Sequence, residues 1–164
     1  MMTAREKAVD LAAYVVGCTA GAAIAYFLAG AVGLPHPLWA CIFALIASQG
    51  SLETALPAMR GRLIGTGIGV LVAIAVNEAT RRLALDAATQ MIIDVAICTP
   101  FAWRRPSIQV CLWTPPIILM TAAPGESLVA VGLARGCEVV VGIIVGGLLH
   151  MAAEKVSGMA RARG

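Results

Sequence analysis

The sequence predicts an all-α integral membrane protein with six transmembrane helices, arranged as two inverted three-helix repeats. Of its 164 residues, 60% are hydrophobic and 13% are charged, whereas soluble proteins carry about 25% charged residues. The apolar residues form runs suited to helices that cross a bilayer core of about 30 Å. No segment keeps the polar and apolar alternation that a membrane β-barrel requires. A soluble domain of this size could not bury so much apolar surface.

Prolines, glycines and paired arginines divide the chain into six segments. Proline and glycine are the strongest local signals for the end of a helix or for a turn. We therefore expect a single transmembrane domain over residues 1–164, with no soluble domain. Its helices are predicted at about 7–32, 38–50, 53–78, 83–103, 107–123 and 126–153.

The first three helices are separated by breaks that contain proline or polar residues. Leu34-Pro35-His36-Pro37 ends the first helix, and Ser48-Gln49-Gly50-Ser51 ends the second, which is short. Pro57 falls in the first turns of the third helix, where a missing N–H group is tolerated.

The last three helices are separated by arginines and prolines. Arg81-Arg82 marks the loop before the fourth helix, and Arg104-Arg105-Pro106 ends that helix. Pro115-Pro116 is expected to kink the fifth helix. Pro124-Gly125 ends the fifth helix, and a polar tail follows the sixth.

The basic residues predict that both termini lie inside the cell. With that orientation two basic residues lie outside, Arg81 and Arg82, and three lie within helices. Cytoplasmic loops carry the excess of Lys and Arg, so we expect a multi-pass protein of the cell (inner) membrane. The seven basic residues placed inside are Arg5, Lys7, Arg104, Arg105, Lys155, Arg161 and Arg163.

The two halves of the chain share a faint internal repeat. Three residues recur at an offset of 73 positions and a tryptophan recurs at 74. Because each half contains three spans, the second half would cross the membrane in the opposite sense, as in many transporters. The matched pairs are Glu53 with Glu126, Arg62 with Arg135, Gly69 with Gly142, and Trp39 with Trp113.

The repeat places two arginines at matching depths. Arg62 and Arg135 each follow, by nine residues, the glutamate that opens their helix, a distance of about 13 Å at 1.5 Å per residue. Charged groups within the membrane are costly and usually functional. The alternative is that Arg62 extends along its stem to the inner interface and that Arg135 pairs with a carboxylate.

The sequence around Arg62 and Arg135 resembles that of a known protein family. The segment Met59–Gly69 contains Arg62, Gly65, Thr66 and Gly69 in the pattern R-x-x-G-T-x-x-G. This pattern is similar to the signature of the fusaric acid resistance-like (aromatic acid exporter) superfamily, which includes the plant aluminium-activated malate channels. Arg135 and Gly142 in the sixth helix resemble the second arginine-to-glycine pattern of that family.

The resemblance implies transport of organic anions such as aromatic carboxylates. It assigns substrate binding to Arg62 and Arg135, and Arg60 is a weaker candidate at the cytoplasmic mouth. It also implies a homodimer or a higher homo-oligomer, because many members contain two six-helix units. Most members carry a soluble domain, so whether a separate soluble partner replaces it stays open, as does the choice between a channel and a proton-coupled exporter.

Two acidic residues are candidates for gating or for an ion pair. Asp94 lies 11 residues after the predicted start of its helix and Arg135 lies nine after its own, so a pair at similar depth is expected. Glu138, one turn after Arg135, could compete for the same guanidinium. For Gly65, Gly69 and Gly142, close helix packing is the alternative to ligand binding.

Other classes of protein fit the sequence poorly. His36 and His150 lie near opposite membrane faces, which argues against haem, and no motif of an enzyme or a metal site is found. We expect no catalytic residue, no cofactor, no metal and no nucleic-acid partner, since the net charge of +3 is small and dispersed. The remaining alternative is a non-transporting membrane scaffold or assembly subunit, which predicts no water-accessible path to the arginines.

Overall fold

The computed structural model describes residues 4–48, 52–123 and 125–162, and these residues form helices and no strand. The six α-helices agree with the predicted all-α class and helix number. Two short 3₁₀ helices, Arg81–Leu83 and Pro106–Leu112, accompany them. The α-helices are α1 (Ala4–Ala31), α2 (Pro37–Ala47), α3 (Leu52–Thr80), α4 (Ala87–Arg104), α5 (Thr114–Thr121) and α6 (Leu128–Ala162).

Three stretches are long and apolar enough to cross a membrane, namely Lys7–Ala31, Pro57–Leu83 and Leu128–Met159, and α2 is a shorter apolar helix. Large apolar side chains on these stretches are exposed, including Phe27 and Leu71. Soluble proteins rarely expose apolar surface over contiguous areas of this kind. The chain is therefore a multi-pass membrane protein, with these side chains placed to face lipid.

The fifth predicted helix, 107–123, is not one kinked helix. The 3₁₀ helix Pro106–Leu112 comes first, and α5 begins after Trp113 with prolines in its first turn. Because Pro115 and Pro116 have no N–H group, the carbonyl groups of Cys111 and Leu112 cannot receive helical hydrogen bonds from them. The prolines therefore begin a new helix instead of bending an existing one.

The fourth helix begins four residues later than the predicted residue 83. Ala84 adopts a left-handed conformation with φ of 47°, which ends the preceding 3₁₀ helix. Asp86 then caps α4, because Thr89 donates to its carboxylate from the backbone N at 2.9 Å and from Oγ1 at 2.8 Å. These hydrogen bonds lower the pKa of the Asp86 carboxyl below its usual value. This cap, and not Arg81-Arg82, sets the start of the helix.

The remaining helix ends also differ from the predicted ones. The described part of α2 ends at Ala47, and Ser48 follows it as a helix cap; the predicted end at residue 50, together with the side chain of Glu53, lies outside the described residues. The sixth helix was predicted at 126–153, whereas α6 covers Leu128–Ala162. Glu126 lies in the turn before α6, where its Oε2 accepts a hydrogen bond from the Ala123 N at 3.0 Å.

The chain divides into two compact units, and unit 1 contains residues 1–55 and 138–164. It holds α1, α2 and the later part of α6 around a core of small residues, with Ala25 and Ala29 on α1 and Ala44 on α2 fully buried. Two glycines let α6 approach α2 closely. A Cβ atom at Gly142 would lie 2.7 Å from Phe43 Cβ, and one at Gly146 would lie 2.7 Å from Ala44 Cα.

Unit 2 contains residues 56–137 and so holds most of α3, all of α4 and α5, and the start of α6. Glycines again allow close contacts, because a Cβ atom at Gly65 would lie 2.7 Å from the Ile108 carbonyl oxygen and one at Gly69 would lie 2.6 Å from Thr114 Cβ. One apolar cluster joins α4 to α3 and to the second 3₁₀ helix. It consists of Cys98, Ala102 and Cys111, with Ile68, Val72 and Leu112 packed against them.

The cores of the two units use corresponding positions of the two sequence halves. Each unit combines the first and second helices of one half with the third helix of the other half. Four residues of the unit 1 cluster have counterparts in the unit 2 cluster at an offset of 73 positions. These pairs are Ala25 with Cys98, Ala29 with Ala102, Val141 with Ile68, and Val145 with Val72.

The close approach of α6 to α2 predicts opposite effects for two glycine substitutions in the same helix. Gly146→Ala places a Cβ atom against the backbone of Ala44, and overpacking of this kind costs about 1–3 kcal/mol. Gly136→Ala meets nothing within 4 Å and gains helix propensity of about 0.5–1 kcal/mol. Thermal unfolding of the detergent-purified variants, followed by fluorescence-detected size exclusion, measures both. Equal melting temperatures for the two variants would contradict the packing described.

Candidate functional site

The predicted anion-binding residues lie in one unit. Arg60 and Arg62 are on α3, Asp94 is on α4 and Arg135 is near the start of α6, all within unit 2. Glu138 is the first residue of the α6 segment that belongs to unit 1.

The three arginines differ in exposure. Arg60 is exposed, Arg62 is half-buried and Arg135 is buried, with 4% of its surface exposed. A guanidinium stays charged at any working pH, and a charge inside a membrane helix costs several kcal/mol. Burial alone therefore makes the desolvation cost largest at Arg135 and smallest at Arg60.

Contacts between α3 and α6 within unit 2 give the relative levels of Arg62 and Arg135. A Cβ atom at Gly132 would lie 2.6 Å from Val70 Cγ1, and Ala73 clusters with Val131. From the first contact to the second, the residue number rises on α3, from 70 to 73, and falls on α6, from 132 to 131. These segments are therefore antiparallel. Arg135 is three residues past Gly132 and so lies level with residue 67, about 8 Å along the axis from Arg62. Long side chains can bring both guanidinium groups into the space between these levels.

Thr66 lies one turn after Arg62 and differs from the four threonines whose hydroxyl groups donate to the carbonyl group four residues earlier. It is 3% exposed, and its hydroxyl oxygen has no hydrogen-bond partner among the described residues. A helical threonine commonly bonds the carbonyl group four residues earlier. The hydroxyl of Thr66 is thus a buried polar group that lacks this usual hydrogen bond. The threonines that do donate in this way are Thr80, Thr99, Thr114 and Thr121.

The predicted ion pair between Asp94 and Arg135 is not formed. Asp94 is 1% exposed, and neither of its carboxylate oxygens has a hydrogen-bond partner among residues 4–48, 52–123 and 125–162. Cys98, one turn later, clusters with Ile68 and Val72 of α3, so Asp94 lies level with about residue 74 of α3. This is about 10 Å along the axis from Arg135. Depths counted from the predicted helix starts were misleading because α4 and α6 do not begin at the same level.

Glu138 has a structural role at the start of α2. Its Oε1 accepts a hydrogen bond of 2.9 Å from the backbone N of His36, the residue that caps α2, and the glutamate is 1% exposed. A carboxylate at a helix N-terminus is stabilised by the helix dipole and by the N–H groups left free there. Competition between Glu138 and Asp94 for the Arg135 guanidinium stays a prediction from the sequence.

The motif glycines provide helix contacts. The spaces next to Gly65, Gly69 and Gly142 are filled by the backbone or side chains of neighbouring helices. No room for a ligand is left beside these three positions, so the packing alternative accounts for them.

Each unit also contains a cavity that the sequence did not indicate. In unit 2 a cavity of about 520 Å³ lies where the end of α3 meets residues 119–129, and Arg81 and Glu78 there are 3.9 Å apart. Its polar lining residues are Asn77, Glu78, Arg81, Glu126 and Ser127. In unit 1 a cavity of about 500 Å³ includes Asp10, His150 and Glu154. Both form from segments distant in sequence, and no group of three potential metal ligands occurs among the described residues.

Comparison with known proteins identifies the family. The model of the family described as "Fusaric acid resistance protein-like" matches residues 23–149, which include both arginine-to-glycine patterns. No curated protein and no solved structure gives a significant match to this chain. The match covers more than half of the chain, and it includes the R-x-x-G-T-x-x-G segment at Arg62 on which the family resemblance is based. The chain therefore belongs to the fusaric acid resistance protein-like family, a family of membrane transport proteins.

Proposed function

We propose that this protein transports organic anions such as aromatic carboxylates, with Arg62 and Arg135 as the groups that bind the anion. One observation carries the proposal. A buried and a half-buried arginine lie in one unit at levels about 8 Å apart, each within a stretch long and apolar enough to span a membrane.

The chemistry of these side chains suits a carboxylate. A guanidinium presents a planar set of N–H donors that can bind both oxygens of a carboxylate. Rings of arginine or lysine are a usual device for anion selectivity in membrane pores. The unpartnered hydroxyl of Thr66, one turn from Arg62, adds a neutral donor to the same face of α3.

We propose further that the two halves form an inverted repeat. The support is the common offset of 73 positions between the cores of the units, together with the short second segment in each half. These segments are α2 in the first half and the second 3₁₀ helix with α5 in the second half. In transporters, unusually short or proline-interrupted segments at corresponding positions of two repeats mark the substrate site.

The same proposal includes a location and an assembly. The distribution of basic residues supports termini on the cytoplasmic side of the cell inner membrane. A homodimer is included because the family resemblance implies it, since many members contain two six-helix units. A non-transporting scaffold is the outcome to be expected if the reconstituted protein moves no carboxylate.

Neutralising either arginine should abolish most of the transport. We expect Arg62→Gln and Arg135→Gln to reduce benzoate flux into proteoliposomes at least tenfold, because a hydrogen bond to a charged group contributes about 1.5–3 kcal/mol. Arg105→Gln changes an exposed arginine and serves as the control with normal flux. Wild-type flux in both test variants would refute the site, provided that all three proteins elute at the same volume.

Thr66→Val should weaken anion binding without preventing assembly. Replacing the unpartnered hydroxyl by a methyl group removes a donor to the charged substrate, and we expect the KM for benzoate to rise roughly tenfold. Thr99→Val is the matched control, since the Thr99 hydroxyl donates to the Val95 carbonyl group of its own helix. An unchanged KM for Thr66→Val would exclude Thr66 from the site.

The orientation can be tested by labelling single cysteines. In a variant with the five native cysteines replaced, a membrane-impermeant maleimide should label Arg82→Cys in intact cells. It should label Lys155→Cys only after the membrane is opened. The reverse pattern would invert the proposed topology.

A further inference from the structure

Successive turns of α3 in unit 2 lie in three different surroundings. Ile74 lines the cavity of about 520 Å³ at the end of the helix. Ala73 and Val70 belong to an apolar cluster next to that cavity, and Thr66 and Arg62 of the candidate anion site follow one turn and two turns further on. At 1.5 Å per residue, Ile74 and Thr66 are about 12 Å apart along the axis. The apolar cluster therefore lies between the cavity and the candidate anion site.

The apolar cluster is formed by three helices of unit 2. Ala73 of α3, Ile118 of α5 and Val131 of α6 meet there, and they are 1%, 0% and 6% exposed. The half-buried side chains that pack against these three are Val70, Ala122 and Leu128. None of these side chains carries a hydrogen-bonding group, so the cluster contains nothing that could replace the hydration shell of an ion.

The cavity beside the apolar cluster is polar and open to water. Its described lining includes the side chains of Asn77, Glu78, Arg81, Glu126 and Ser127, and all of these except the half-buried Asn77 are exposed. A polar cavity of this volume has ample room for water. Water therefore reaches the apolar cluster from the end of α3 and stops there.

We propose that the apolar cluster selects among anions, admitting those that carry an aromatic ring and excluding small hydrated anions such as chloride. The inference rests on the proposed function and adds a selectivity element to the same path. An apolar constriction expels water, and an ion that keeps its hydration shell does not pass it. An aromatic anion presents its ring to Ile118 and Val131, and this apolar contact offsets part of the cost of dehydrating its charged group.

The arginines cannot supply this selectivity by themselves. A guanidinium binds a carboxylate through paired N–H donors, and its permanent charge attracts chloride as well. The path thus has two filters in series. The level of Arg62 and Arg135 selects negative charge, and the apolar cluster selects an apolar body attached to that charge.

The test compares the fluxes of two anions in proteoliposomes, with valinomycin and potassium to balance the charge. Benzenesulfonate has no membrane-permeable protonated form at neutral pH and is followed as a radiolabelled ion, and chloride is followed with a chloride-quenched dye. We expect the wild type to move benzenesulfonate roughly tenfold faster than chloride. Val131→Thr keeps the shape of the side chain but adds a hydroxyl that binds water, and should raise the chloride flux roughly fivefold.

Two further variants control for the substitution and for folding. Val140→Thr makes the same exchange on α6 at a side chain that is 41% exposed, and should keep the wild-type ratio of the two fluxes. Ile118→Ala widens the constriction instead of making it polar, and should also raise the chloride flux. It takes the place of Val131→Thr if that variant fails to assemble.

The barrier can be tested without any transported anion by labelling cysteines in the variant that lacks the native ones. A charged, membrane-impermeant thiol reagent is added from the side on which Arg82→Cys is labelled. It should label Asn77→Cys, which lies in the cavity, and leave Thr66→Cys unlabelled. Adding Ile118→Ala should make Thr66→Cys reactive from that side. Labelling of Thr66→Cys without Ile118→Ala, or no labelling of Asn77→Cys, would show that the apolar cluster is not the barrier.

The outcomes separate this inference from the proposed function. Equal fluxes of chloride and benzenesulfonate in the wild type, or an unchanged flux ratio in both Val131→Thr and Ile118→Ala, overturn the role of the apolar cluster and leave anion transport intact. If the wild type moves neither benzoate nor benzenesulfonate, the proposed function fails, and the inference fails with it whatever the labelling shows.

Discussion

The structure depends on glycines that bring helix backbones into direct contact. In lipid, apolar side chains gain nothing by leaving the solvent, so helices associate through close packing of small residues. Gly142 and Gly146 seat α6 on α2, while Gly65 and Gly69 seat α3 on the second 3₁₀ helix and Thr114. In both units the long third helix of one half is thus held against the short second segment of the other half. Within unit 2 a further glycine contact, that of Gly132 with Val70, sets the levels of Arg62 and Arg135 relative to each other.

This register explains how a costly charge is retained in a fold of low charge content. Arg135 is buried near the start of α6, and Gly132, three residues earlier, packs closely against Val70 of α3 within the same unit. This contact holds a cation within an apolar span, where lipid alone would disfavour it.

The sequence predicted those features that depend on composition and local spacing. The helical class, the six helices and the motif around Arg62 follow from hydropathy, proline positions and the R-x-x-G-T-x-x-G pattern. It did not predict the break at Trp113 or the cap at Asp86, since these depend on which backbone groups find hydrogen-bond partners. The level of Asp94 was misjudged for a related reason. The level of a residue is set by packing such as that of Ile68 and Val72 against the cluster that contains Cys98, and a count from a predicted helix end contains no information about such contacts.

The correspondence between the halves is unequal in a way that bears on mechanism. The arginines are matched, since Arg62 and Arg135 occupy equivalent positions, whereas the position equivalent to Asp94 is Gly21. Gly21 packs beside Leu149 and Ser48 in unit 1, so that unit has no carboxyl group at this point. Unit 2 therefore carries a buried carboxyl group on α4 that has no counterpart at the equivalent point of unit 1, so the two units differ chemically at the same point of their cores.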